Sequence, residues 1–143
     1  MNMLEWNDEK MGLGIKLIDE QHKELLNIIN MLANSIDNYS QREDILTIVN
    51  KLIDYSYYHF SMEEELFAQF NYKDVDAHKK EHLKFTKIFS ELKLKLTNDI
   101  YFKDKSAIVI AEEIFEYLTN WLVHHILNSD KKYVELFKEK GIK

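Results

Sequence analysis

The chain has 143 residues, 45% of them hydrophobic and 31% charged, a balance that fits one globular domain and excludes a disordered chain. A formal net charge of −6 is a poor match for nucleic acid, whose binding depends on phosphate neutralisation. With no cysteine, disulfides and thiolate ligands are excluded, so a bound metal would rest on nitrogen and oxygen.

The absence of proline, with only three glycines, leaves long helices almost nothing to interrupt them. The first twenty residues lack an apolar secretory core, and no apolar run nears bilayer-crossing length. A cytoplasmic protein with no membrane partner is therefore expected. Lysines gather near the end (Lys131, Lys132, Lys138, Lys140, Lys143), but interspersed acids make this a solvated helix.

Residues 1–17 show no sustained period and read as an irregular N-terminal arm, with Trp6 packing on the rest. A bundle over 18–128 follows, as four stretches with apolar seams stepping by three and four. The first seam is Ile18, His22, Leu25, Ile29, Leu32, Ile36. The second is Ile45, Val49, Leu52, Ser56, His59, Glu63, Leu66, Phe70. The third is Val75, His78, His82, Phe85, Phe89, Leu92, Leu96, and the fourth Ile108, Ala111, Phe115, Leu118, Leu122, His125.

Ser40 with Glu43 predicts a capping box ahead of the second helix, and Asp74 an N-cap for the third. Short connections near 37–40 and 71–74 make neighbours antiparallel; a longer one spans about 97–105. A short helix is expected over about 131–139. The sequence thus predicts one all-α domain over 1–143, an up-down-up-down four-helix bundle with an N-terminal arm and a short C-terminal helix.

The placement of polar residues is the informative fact. Five of the six histidines, and Glu63, fall on seams that should be apolar. One buried histidine is commonly satisfied by a backbone carbonyl, whereas five on four helices together with a carboxylate need a common partner. Metal coordination supplies it. His59 with Glu63, and His78 with His82, are i,i+4 pairs that share a helix face. His125 and Asp130 are five apart and would diverge by about 140° on a continuous helix. Asp130 is therefore expected to join only if the helix ends just after His125, where Asn128 and Ser129 are poor helix formers. His124 lies at the edge of the polar face of Glu112, Glu116, Thr119 and Asn120, and is not counted as a ligand.

Seven ligands exceed what one zinc takes, and five imidazoles are too many for magnesium or calcium. Two close ions bridged by Glu63 and Asp130 fit. Imidazole with carboxylate suits iron, although manganese and zinc pairs share that ligand type. No Glu-x-x-His pair occurs, since the residues three before each candidate are Asp19, Ser56, Val75, Lys79 and Leu122. This disfavours ferritin-like oxidase chemistry.

The order His22, His59-x-x-x-Glu63, His78-x-x-x-His82, His125-x-x-x-x-Asp130 resembles that of the hemerythrins, and the local contexts look like bacterial single-domain members. The resemblance implies an oxygen-binding, non-heme di-iron protein and not an enzyme. His78, His82 and His125 would hold one iron, and His22 and His59 the other. Glu63, Asp130 and an oxo or hydroxo group would bridge them, leaving the open position for dioxygen on the two-histidine iron. Leu25, Phe60, Trp121 and Leu122 are the expected oxygen-pocket wall, each with an equally good role in core packing. A monomer is expected, and delivery to an oxygen-using enzyme is conceivable. The alternative is a di-iron enzyme or scavenger acting on peroxide or nitric oxide, for which His124 is the one outlying acid–base candidate.

Overall fold

A computed structural model describes residues 3–98 and 107–143. Six α-helices are present among them: α1 (Asp8–Met11), α2 (Lys16–Asp37), α3 (Arg42–Phe70), α4 (Val75–Thr97), α5 (Ala107–His124) and α6 (Val134–Glu139). A π turn (His125–Ser129) and a 3-10 turn (Asp130–Tyr133) join α5 to α6 without leaving helical backbone. The fold is an all-α helical bundle. Helices α2 and α4 each pack against both α3 and α5, so the four long helices close a ring. His22 lies near the start of α2, Glu63 toward the end of α3, His78 near the start of α4 and His125 just past α5. Because these four meet, consecutive helices run in opposite directions. The third connection falls largely outside the described residues. No described helix is long and apolar enough to cross a membrane.

The seams pack as their period dictates, with differences at the ends. Every residue of the first seam is buried. In α3 the seam shifts by one residue near its end: Phe67 is fully buried, while Leu66 and Phe70 are half-exposed. In α5, Ile110 and Ile114 take the buried face and Ile108 only half of it.

The helix ends also depart from expectation. Ser40 does not cap α3, whose N-terminal boundary falls at Gln41 without a side-chain bond. Its N–H instead donates to the Ser35 carbonyl at 3.0 Å, while Tyr39, at φ 51°, donates to Ile36. This six-to-one closure of α2 needs a left-handed residue, a role usually taken by glycine. Asn71 (φ 54°) plays that role after α3, where Tyr72 N–H meets the Phe67 carbonyl at 3.0 Å. Asp74 begins α4 as expected, through its backbone carbonyl to His78 N–H rather than its side chain.

The arm is more ordered than its sequence suggests, since α1 forms within it. It is tied down by polar bonds: Asn30 exchanges two 2.7 Å hydrogen bonds with the Leu4 backbone. Asp19 accepts from the N–H groups of Leu13 (2.8 Å) and Gly14 (3.2 Å), with Gly14 at φ 76°. Trp6 is half-buried against the core, with Lys23 Nζ 5.3 Å from its ring centroid. Asp19→Ala removes both arm bonds and is expected to lower stability by about 1–2 kcal/mol. Urea denaturation checks this; no change in midpoint would show that the arm contributes nothing.

Candidate metal centre

Neighbouring helices bring the six seam residues, and Asp130 with them, into one buried cluster. His22, His59, His78, His82 and His125 are at most 3% exposed, and Glu63 and Asp130 are fully buried. The candidate donor atoms form two overlapping groups, each within 4.8 Å internally: Glu63 with His78, His82 and His125, and His22 with His59, Glu63 and Asp130. Asp130 turns Oδ2 to His22 Nε2 (3.0 Å) and Oδ1 to His78 and His125 Nε2 (3.2 and 3.0 Å). Glu63 Oε1 lies 3.3–3.7 Å from Nε2 of His59, His78 and His82.

Close as these atoms are, most lack hydrogen-bond alignment. Nε2 of His22, His78, His82 and His125, Glu63 Oε1 and both Asp130 oxygens are buried without a hydrogen-bond partner. Orphaned polar atoms normally cost about 1–3 kcal/mol each, so such a cluster is poor as a hydrogen-bond network. Converging lone pairs from imidazole and carboxylate are what a metal ion satisfies, and the residues fit metal on that ground.

Asp130 arrives by a route that simple helix geometry did not give. The chain does not end its helix after His125; it widens it. The Asp130 N–H donates to the His125 carbonyl, five residues back, closing a π turn. That inserted residue brings Asp130 back over His125 instead of leaving it round the helix. His124 stays outside, exposed, with its Nδ1 3.2 Å from the Asn128 amide nitrogen.

The sequence did not single out the residues behind the cluster. His59 Nδ1 meets Gln21 Oε1 at 2.6 Å, His82 Nδ1 meets Glu64 Oε2 at 3.1 Å, and His125 Nδ1 meets Glu81 Oε1 at 3.3 Å. Ser129 Oγ donates to Glu81 at 2.5 Å, and Tyr133 OH to Glu63 Oε2 at 2.5 Å. An acceptor on Nδ1 fixes the tautomer that leaves Nε2 free to ligate. Gln21 carried a readable signal, being a polar residue beside the first seam. Tyr133 carried none, because it meets Glu63 across 70 positions of sequence.

Charge in this site follows burial and neighbours. Burial alone would lower the His78 and His125 imidazoles, but Asp130 and Glu63 reverse this and raise them to about 9 and about 10. Burial lowers His59 to about 4 despite Glu63. Burial and Asp130 would raise Glu63, yet the surrounding imidazoles hold it below the ordinary carboxylate range. The His125 imidazole holds Glu81 down at about 2, so it stays an anionic acceptor. Burial, with Asp130 and Glu63 beside it, pushes the Tyr133 phenol well up, so it stays a donor.

An all-α bundle that buries two overlapping histidine–carboxylate groups is a metal-binding helical bundle. The hemerythrin HHE cation-binding domain matches residues 13–137. The chain is 33% identical to a bacteriohemerythrin of Clostridium acetobutylicum, across 93% of this chain and 100% of the relative. It is 30% identical to one of Stenotrophomonas maltophilia, across 96% and 84%. A crystal structure of wild-type hemerythrin superposes with a TM-score of 0.81 at 27% identity, covering 94% of this chain and 98% of that one. The chain belongs to the hemerythrin family.

Metal-free His78 and His125 hold protons at neutral pH, and a ligating imidazole nitrogen cannot. Metal loading at pH 7.5 is therefore expected to release about two protons, one from each imidazole. The release should fade as the pH of loading rises through about 9 to about 10. An indicator dye in weakly buffered solution measures it; a release independent of pH would contradict the assignment.

Proposed function

We propose that this cluster holds two iron ions and that the protein binds dioxygen reversibly, as carrier, store or sensor. The unequal division of the donors carries this reading. One group offers three imidazoles and the other two; Glu63 belongs to both, and Asp130, grouped with His22 and His59, also lies 3.2 and 3.0 Å from His78 and His125. His78, His82 and His125 would hold one iron, and His22 and His59 the other, with both carboxylates shared. Bound iron would supply the electrons for reversible dioxygen binding at the less crowded, two-histidine position.

The chain's own residues do the rest. Asp130 offers one oxygen to each group, which suits a bridge. Tyr133 holds Glu63 Oε2 and so fixes the direction of Oε1. Leu25, Phe60, Trp121 and Leu122 all line one cavity of about 10 Å³, together with Ile29, Leu52, Ser56, Phe85 and Leu118. That volume is about the size of one small molecule such as water, and an almost wholly apolar lining offers water almost no hydrogen-bond partners. Leu25, Ser56 and Leu122 stand one turn from His22, His59 and His125, which places the cavity beside the cluster. A dry wall protects a reversible complex, because a stray proton would end it. The lining favours binding over turnover: Ser56 and the Trp121 indole are its only side chains with polar atoms.

Aerating the anaerobic ferrous protein should produce a visible charge-transfer band that disappears again under argon. Oxidation that argon does not reverse would defeat the carrier reading and favour the peroxide or nitric oxide alternative. His59→Ala removes one of two imidazoles from the second group and should abolish that band. A full adduct on the variant, with two irons by metal analysis, would defeat the ligand assignment.

A further inference from the structure

The solvent face of α4 runs against the charge of the chain as a whole. Lys79, Lys80, Lys84 and Lys87 are all exposed, and none is ion-paired among the described residues, in a protein of net charge −6. Their spacing sets them around Leu83: Lys79 and Lys87 lie one turn to either side, and Lys80 and Lys84 flank it. Leu83 is 69% exposed, and Tyr57 on the adjoining α3 is 75% exposed. Asp76 and Glu91 mark the two ends of this stripe.

Between these two side chains lies a groove of about 410 Å³, lined also by Phe60, Ser61, Glu64, His82 and Thr86. Its floor is the Phe60 and His82 pair, stacked at 3.9 Å. A single imidazole therefore separates the groove from the Nε2 that faces the cluster. The other exit toward solvent, Glu81 on His125, has acidic Asp74 beside it and no exposed large apolar residue.

An apolar centre inside a charged rim is the anatomy of a transient protein interface. A lipid surface would gain little from two apolar side chains, and nothing from a groove leading to His82. We propose that the Lys79/Lys80/Lys84/Lys87 face, centred on Leu83 and Tyr57, docks an acidic one-electron carrier protein that reduces the metal site through the His82 imidazole. This rests on the iron reading above, since it is ferric iron that needs returning to the ferrous state. Each encounter moves one electron from the reduced carrier to one ferric ion, giving one ferrous ion and one oxidised carrier. Two encounters restore the pair, and no bond to the protein is made or broken.

The test uses flavodoxin, a small acidic flavoprotein, as carrier, with K79E/K80E/K84E/K87E compared against K131E/K132E/K138E/K140E. The two variants have the same net charge, so only the position of the change differs. Flavodoxin binding, followed by NMR line broadening, should be lost in the α4 variant and kept in the control, with or without iron. Stopped-flow reduction of the oxidised protein by flavodoxin hydroquinone should run about tenfold or more slower in the α4 variant than in the control at low ionic strength. A small neutral reductant should reduce both at one rate. Equal binding and equal rates for the two variants would overturn the proposal. So would binding of the wild type to phosphatidylglycerol vesicles but not to flavodoxin, which would assign the face to a membrane. Absence of iron or of an oxygen adduct would defeat the functional reading instead, while binding to the metal-free protein would still test the surface.

Discussion

Seven ionisable side chains packed into a core that excludes water are the constraint on which the rest of this structure depends. Without a shared cation they form a strained network, with orphaned nitrogens and oxygens facing one another at 3.0–3.7 Å. With one, each lone pair has a partner, and the burial cost becomes binding energy that favours the folded state. The donors come from α2, α3, α4 and the turn after α5, so satisfying them also fixes how the helices register against one another. Apolar layers close the site on both sides. Phe60, Phe85 and Trp121 form one layer, and Phe67, Tyr133 and Phe137 the other.

Orientation of the imidazoles is determined one step further out. Trp121 stacks on His125 at 4.4 Å, as Phe60 does on His82, and both rings lie nearly parallel to their partner. Gln21, Glu64 and Glu81 take Nδ1 of three histidines, and Ser129 in turn holds Glu81. Glu64 and Glu81 are partly exposed, so the same contacts that orient the ligands also carry the site toward solvent. Ligand geometry and surface access are thus two consequences of one set of bonds.

Much of this was legible in the sequence, for a physical reason. Helical period and the cost of burying polar groups are local properties, so four seams and five misplaced histidines could be read directly. His124 was separated from His125 by the same arithmetic, and the structure leaves it in solvent. The helix ends were less legible. Ser40 looked like a cap but closes the preceding helix instead, because Tyr39 accepts a left-handed backbone that its side chain does not advertise. The one-residue shift at Phe67 arises because the aromatic cluster of Tyr72, Tyr133 and Phe137 draws that face inward.

By itself the sequence determined which residues are candidates for the metal, that they lie on helices, and that their chemistry is nitrogen and oxygen without sulfur. Composition and periodicity suffice for that, since each is fixed by residue type and spacing along one helix. The tertiary structure alone decided which helix faces meet to bring the donors within reach of one another, through which backbone Asp130 reaches them, and that Tyr133 holds Glu63. The first and last depend on distances between residues far apart in the chain. The middle one turns on which amide the His125 carbonyl accepts. Choosing the amide five residues on, rather than four, is a difference of one hydrogen bond, and packing of the whole bundle makes that choice.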